Sequence, residues 1–373
     1  MGRLGHSTGC LIRHHDAMRF HTKWTPGIGP ALLAALLFGA STPLAKLLIA
    51  DVSPIVLAGL LYAGSGLGLG LWLLLRRLRS NNPSAEAGLQ RRDIPWLAGA
   101  VFTGGVVGPV LLMLGLASTP ASTASLLLNL ESVLTALLAW VVFRENVDFR
   151  IFLGMVVIVA GGVLLSWTQA PRAGLPWGAF AIAGACACWA IDNNLTRAVS
   201  GGDPVQIAAI KGGLAGAINI AVALCMGHRL PDAALVLAAG AIGLASYGIS
   251  LVAFVLALRH LGSARTGAYF STAPFVGAAL SLVLLREAPS FGFWIAGGLM
   301  ALGVWLHISE HHEHEHTHEA MEHEHLHAHD EHHQHTHDVP WDGREPHSHP
   351  HRHEPMIHSH PHYPDLHHRH GHR

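Results

Sequence analysis

The sequence predicts an all-α integral membrane protein: ten transmembrane helices arranged as two inverted five-helix repeats, followed by a disordered His-rich C-terminal tail. Three observations carry this expectation. Residues from about 30 to 307 are nearly continuous apolar runs, in a 373-residue chain where only 13% of residues are Asp, Glu, Lys or Arg, against roughly 25% in an ordinary soluble domain. The same stretch repeats itself once. The remainder, 308–373, has few apolar residues and most of the histidines.

Taken in order, residues 1–29 form a basic, polar segment (Arg3, Arg13, Arg19, Lys23) without the short apolar core and small-residue cleavage site of a signal peptide. The first repeat, 30–167, holds spans near 30–50, 54–75, 94–116, 121–141 and 150–167; the second, 177–307, holds spans near 177–198, 205–226, 234–258, 264–285 and 291–307. About 20 apolar residues suffice for a helix to cross the hydrocarbon core, with every backbone polar group satisfied inside it.

Lysine and arginine placement orients the bundle. With a cytoplasmic N-terminus, the inside segments carry Arg76, Arg77, Arg79, Arg91, Arg92, Arg144, Arg150, Arg197, Arg259 and Arg265, and the outside loops only Arg172, Arg229 and Arg286. The expectation is a multi-pass protein of the cytoplasmic (inner) membrane with both termini cytoplasmic. Gly64/Gly68, Gly104/Gly108 and Gly212/Gly216 are G-x-x-x-G pairs that let helices approach closely.

The duplication needs no gap over 116–145, LASTPASTASLLLNLESVLTALLAWVVFRE, set against 258–287, LRHLGSARTGAYFSTAPFVGAALSLVLLRE: Arg144-Glu145 falls on Arg286-Glu287. A looser match sets the first span beside the sixth, with Lys46 opposite Arg197. Five spans per repeat is odd, so the second repeat enters the membrane from the opposite side. Transporters with this design bind substrate near the midplane, between the repeats.

On the segments LNLESVLTALLAWVVFRENVDFRIFLGMVVIVAGGVLL and STAPFVGAALSLVLLREAPSFGFWIAGGLMALGVWL the chain resembles the EamA-type branch of the drug/metabolite transporter superfamily. The resemblance covers roughly residues 30–307. It implies transport of a small molecule, mostly outward, but no particular substrate, because members carry chemically diverse solutes. Ser132 stands where members often have proline; Pro274 keeps it in the second half.

Ionisable groups inside a bilayer are costly and face a cavity or a partner. Glu131, Asp192 with Asn193 and Asn194, Lys211 and Lys46 lie within spans four, six, seven and one. The functional reading is a polar midplane cavity that binds substrate and a coupling proton. Against it stand two structural readings: a Glu131–Lys211 ion pair, and Lys46 snorkelling to the outer interface. Glu145 and Glu287, at the start of spans five and ten, suit capping of free backbone N–H groups at the positive helix end. Pro43, Pro109 and Pro274 interrupt spans one, three and nine.

Of 31 histidines, 25 lie from His307 onward, as H-x-H and HH. Candidate metal ligands are His311, His312, His314, His316, His318, His323, His325, His327, His329, His332, His333, His335 and His337. Such low-complexity sequence cannot build a core. Closely spaced neutral imidazoles chelate transition metals, so Ni, Co, Zn or Cu ions on this cytoplasmic tail are expected, without a fixed ligand set.

No cofactor is expected for transport itself. No Walker A motif is present, and no nucleophile–base or zinc-protease motif lies in the spans, so neither ATP hydrolysis by this chain nor an enzyme is expected. Three readings follow: a secondary exporter of a small metabolite with an accessory metal-binding tail; an efflux transporter of a divalent metal; a membrane-anchored metal buffer or sensor. The expected partners are the lipid bilayer and a small-molecule or metal-ion substrate, with a homodimer left open; nucleic acid is not expected.

Overall fold

The computed structural model describes residues 27–79, 89–143, 149–169, 176–199, 203–308 and, in the tail, 313–318, 321–327, 347–353 and 356–361. Outside the tail it is all helical. The first half comprises α1 (Ile28–Leu48), α2 (Pro54–Arg79), α3 (Ile94–Ala100), a π-helical segment Val101–Val107, α4 (Gly108–Ser118), α5 (Ala121–Leu127), α6 (Leu130–Phe143) and α7 (Phe149–Gln169). The second comprises α8 (Trp177–Val199), α9 (Pro204–Cys225), α10 (Ala233–Gly243), a π-helical segment Leu244–Ile249, α11 (Ser250–Phe270), α12 (Ala273–Leu284) and α13 (Phe291–Ile308).

Among the described residues, seven helical runs are long and apolar enough to cross a membrane: Ile28–Leu48, Pro54–Arg79, Arg91–Ser118, Ala121–Val142, Phe149–Trp167, Pro204–Cys225 and Ala233–Ala257. Ala273–Leu284 and Phe291–Leu306 are shorter apolar helices. The 23-residue α8 is long enough, but its second half carries Asp192, Asn193, Asn194 and Thr196.

Local sequence explains the helix ends. Asp203 caps α9 by accepting from the Val205 N–H at 2.9 Å, and Asp232 caps α10 by accepting from the Leu235 N–H at 2.9 Å. Each supplies a partner for an amide that a helix start leaves without one.

Three boundaries differ from the sequence expectation, one being the expected span 264–285, which is interrupted at Ser271–Thr272 between α11 and α12. The expected span 121–141 is interrupted at Leu128–Asn129, where the Asn129 amide turns back to the Leu126 carbonyl at 2.9 Å. Conversely, the expected loop between 258 and 264 is helical, as part of α11. In the first half, Thr119 and Pro120 are extended (ψ 141° and 143°) and end α4. The repeat puts Gly262 where Pro120 stands, so no ring blocks the backbone and no N–H is removed.

The outer surface carries large apolar side chains, among them Leu67, Phe102, Val141, Phe149, Leu237 and Phe291, with Trp72, Trp167, Trp177 and Trp305 also exposed. Lipid tails are as apolar as these residues, so helix contact depends on close fit between small residues. A Cβ on Gly66 would collide with Gly213, one on Gly216 with Ala63, and one on Gly243 with the Leu61 carbonyl, so α2 lies tight against α9 and α10. α7 and α13 meet at Gly161 and Gly303, and α1 and α12 at Gly39 and Gly277. Each of these contacts joins a helix of one half to a helix of the other.

In the tail, the described residues form four short strands. β1 (Glu313–His318) pairs antiparallel with β4 (Met356–Pro361), and β2 (Met321–His327) with β3 (His347–His353). The H-x-H spacing has the two-residue period of a strand, which the backbone follows. His314, His316, His318, His323, His325 and His327 fall in these strands. His311, His312, His329, His332, His333, His335 and His337 lie outside the described residues.

Candidate functional site

Five helical elements, α2, the π-helical segment Val101–Val107, α6, α8 and α9, bring polar groups together in the interior. α9 supplies Lys211, whose ammonium donates to both carboxylate oxygens of Asp192 on α8, at 2.6 and 2.8 Å. Thr196, one helical turn beyond Asp192, donates to Asp192 Oδ1 at 2.8 Å and lies 3.2 Å from the ammonium. Asp192 is 6% exposed and Lys211 9%, so this pair is withdrawn from solvent on all sides. A buried charge is tolerated only when paired and hydrogen-bonded, and here both conditions are met.

The pair is seated by a glycine of the first half. A Cβ on Gly104 would lie on the Asp192 carboxylate. Gly104 belongs to the π-helical segment, whose wider hydrogen-bond register leaves backbone carbonyls to find partners elsewhere. The Gly104 carbonyl accepts from Tyr62 Oη at 2.8 Å and Trp189 Nε1 at 2.9 Å. The neighbouring Gly105 carbonyl accepts from the Asn219 amide at 3.1 Å.

Glu131, near the start of α6, accepts from the Asn193 amide at 2.8 Å. It is half-buried, Asn193 is exposed, and no cation pairs with Glu131 among the described residues. An aromatic group lines the same interior. Tyr62 stacks on Tyr247 at 5.1 Å between ring centroids, and Phe38 meets Trp189, Tyr247 and Phe270 at 6.4, 6.1 and 5.3 Å.

Of the five residues the sequence singled out, the structure therefore joins Asp192 to Lys211 and Glu131 to Asn193. The alternative reading, a Glu131–Lys211 ion pair, is not formed; Lys211 takes the Asp192 carboxylate on α8. Lys46 stands apart, with its ammonium on the carbonyls of Leu116, Ala117 and Thr119 at the end of α4. Glu287 does cap amides, but those of Ala121 and Ser122 at the start of α5, not those of the helix that follows it in sequence. Glu145 lies outside the described residues. Tyr62, Trp189, Asn219 and Thr196 were not singled out. Asn219 had a signal, an amide inside an apolar span, and the glycine run of span three marked where their partners lie.

Among the described residues no three His, Cys, Asp or Glu side chains converge on a point where a metal ion could sit. Cys186 is buried against the Leu127 carbonyl, at 3.8 Å.

The sequence pattern of the EamA-like transporter family matches this chain twice, over residues 25–167 and 176–309. The chain belongs to that family. An EamA-like duplication thus accounts for both halves of the bundle, and both matches end by residue 309, at the start of the tail. A protein of Methanothermobacter thermautotrophicus (strain Delta H) described as an uncharacterized transporter is 29% identical over 289 residues, spanning 74% of this chain and 84% of its own. A solved crystal structure at 20% identity superposes with a TM-score of 0.55 over 74% of this chain and 95% of its own, a shared fold. Membership in this family makes the protein a multi-pass membrane transporter.

Proposed function

We propose that this EamA-like protein is a secondary transporter that exports a small metabolite across the cytoplasmic membrane, with an accessory metal-binding tail. In this reading α8, α12 and α13 cross together with the seven longer runs. Ten crossings in two inverted repeats then leave both termini in the cytoplasm. The substrate meets Glu131 and Asn193, beside the aromatic group of Phe38, Tyr247 and Trp189. The Asp192–Lys211 pair ties α8 to α9 across the π-helical segment.

One observation carries the reading: a polar cluster lies between the two copies, with Gly104 and Glu131 from the first and Asp192, Asn193 and Lys211 from the second. A site shared between copies is remade when one copy rocks against the other, and that is how differential affinity for two states becomes transport. Glu131 is half-buried and pairs with no cation among the described residues, which suits it to a substrate amine or a coupling proton.

The test is counterflow in proteoliposomes, offering an amino-acid mixture alongside nickel, cobalt and zinc. E131Q is expected to abolish solute flux while leaving thermal unfolding near that of the parent, because Asn193 can still donate to the amide oxygen. Solute flux that survives E131Q overturns the role of Glu131. The second reading, divalent-metal efflux, is favoured by the tail histidines and opposed by the lack of a converging ligand set among the described interior residues. Metal flux that is lost on deleting residues 308–373, with no solute flux in either form, would establish it instead.

A further inference from the structure

We infer that Lys46 and Glu287 form a clasp that closes the outer end of the transport path and must release for the path to open there. The inference rests on the transporter reading and its orientation. That orientation puts the end of α1, the α4–α5 junction and the segment after α12 all at the extracytoplasmic face.

The junction is a helix break whose ends are buried at Leu116, Thr119, Ala121 and Ser122. α4 stops at Ser118, Thr119 and Pro120 are extended, and α5 begins at Ala121. The last carbonyls of one helix and the first amides of the next would both lack partners. Lys46 serves the first set: its ammonium lies 2.5 Å from the Leu116 carbonyl and 2.9 Å from that of Thr119. Glu287 serves the second set with one oxygen each: Ala121 donates at 2.7 Å and Ser122 at 3.0 Å. A cation sits at the negative helix end and a carboxylate at the positive one.

Neither cap belongs to the helix it serves. Lys46 comes from α1. Glu287 comes from the second copy, 166 residues from Ala121 in sequence. An ordinary cap moves with its helix; a cap borrowed from the other copy holds only while the two copies keep one relative position. The residue that aims Glu287 is strained: Arg286 has φ 52°, the only non-glycine positive φ among the described residues. Left-handed backbone at an ordinary side chain costs energy and persists where surroundings enforce it. Withdrawing the second copy would relieve Arg286 and uncap α5 in one step. One turn inward, Ser125 of α5 is buried against Gly277 of α12, so the packed layer beneath the clasp spans both copies as well.

The test is thiol accessibility. Ser125 is buried and its hydroxyl has no hydrogen-bond partner, so S125C removes no bond. In a background with Cys10, Cys186, Cys188 and Cys225 replaced, a membrane-impermeant maleimide is added to intact cells or to inverted vesicles. E287Q and K46M are each expected to raise the labelling rate from outside about tenfold, the population shift of one charge-assisted hydrogen bond. K46R should stay near the parent rate. E287Q keeps the shape of glutamate, which guards against misfolding, and folded yield is measured for every variant. Lowered thermal stability with unchanged outside labelling means a static cap and overturns the clasp. Faster labelling only from the cytoplasmic side overturns it too. Labelling needs no substrate, so a clasp that responds without solute flux leaves this inference standing and defeats the proposed transport.

Discussion

Two lysine–carboxylate clusters in this protein use the same chemistry in opposite ways. Lys211 and Asp192 face each other, buried, and each cancels the other's charge. Lys46 and Glu287 make no hydrogen bond to each other; one faces carbonyls and the other faces amides across a broken helix, and both are half-buried. The first cluster is a side-chain pair that ties two helices of one copy together across the π-helical segment of the other. The second is a pair of helix-end caps whose members come from different copies. An intramembrane charge therefore need not seek an opposite charge: a helix end with unsatisfied backbone groups is an equivalent partner.

Single substitutions should separate the two clusters most sharply. D192A or K211A leaves one buried charge alone, at a cost of about 3–5 kcal/mol. Thermal unfolding in detergent is expected to show a large loss for each, and D192L/K211M should recover most of it. A double variant no better than the singles would show that the pair is not coupled. G104A comes next. A methyl group in the space of the Asp192 carboxylate forces either the pair or the backbone to shift, about 1–3 kcal/mol by the same measurement. The smallest effect belongs to the caps. K46M and E287Q should each cost about 1 kcal/mol, because water can replace part of what is lost. Their effects should add in a double-mutant cycle, whereas those of D192A and K211A should not. Strong coupling between Lys46 and Glu287 would erase the distinction drawn between the clusters.

Much of this architecture was legible in the residues. Apolar runs and the 116–145/258–287 match give the spans and the duplication, because lipid imposes length and hydropathy on any crossing helix. Asp192, Lys211, Glu131 and Asn193 stood out as polar groups within apolar segments. Their pairing did not, since it depends on how each helix is turned. Lys211 meets Asp192 because α8 and α9 both pack against the π-helical segment Val101–Val107, while Glu131 on α6 reaches α8 at Asn193, the next residue along and on a different face. Lys46 read as a residue for the outer interface; its carbonyl partners are about 70 positions away in sequence and follow no local pattern. The helical course of 258–264 was hidden by Arg259, His260 and Gly262, which are polar or flexible yet remove no backbone hydrogen bond as Pro120 does.

Val101–Val107 and Leu244–Ile249 share one further property. Under the register that sets Glu145 on Glu287, the two π-helical segments fall on each other. A π-bulge is, in effect, a single residue inserted into an α-helix. The same irregular turn therefore recurs in the third span of each half, and each half uses it differently. One half has glycines there, and Tyr62, Trp189 and Asn219 donate to the freed carbonyls. The other placed Tyr247 at the counterpart of Gly105 and turned its ring against Tyr62.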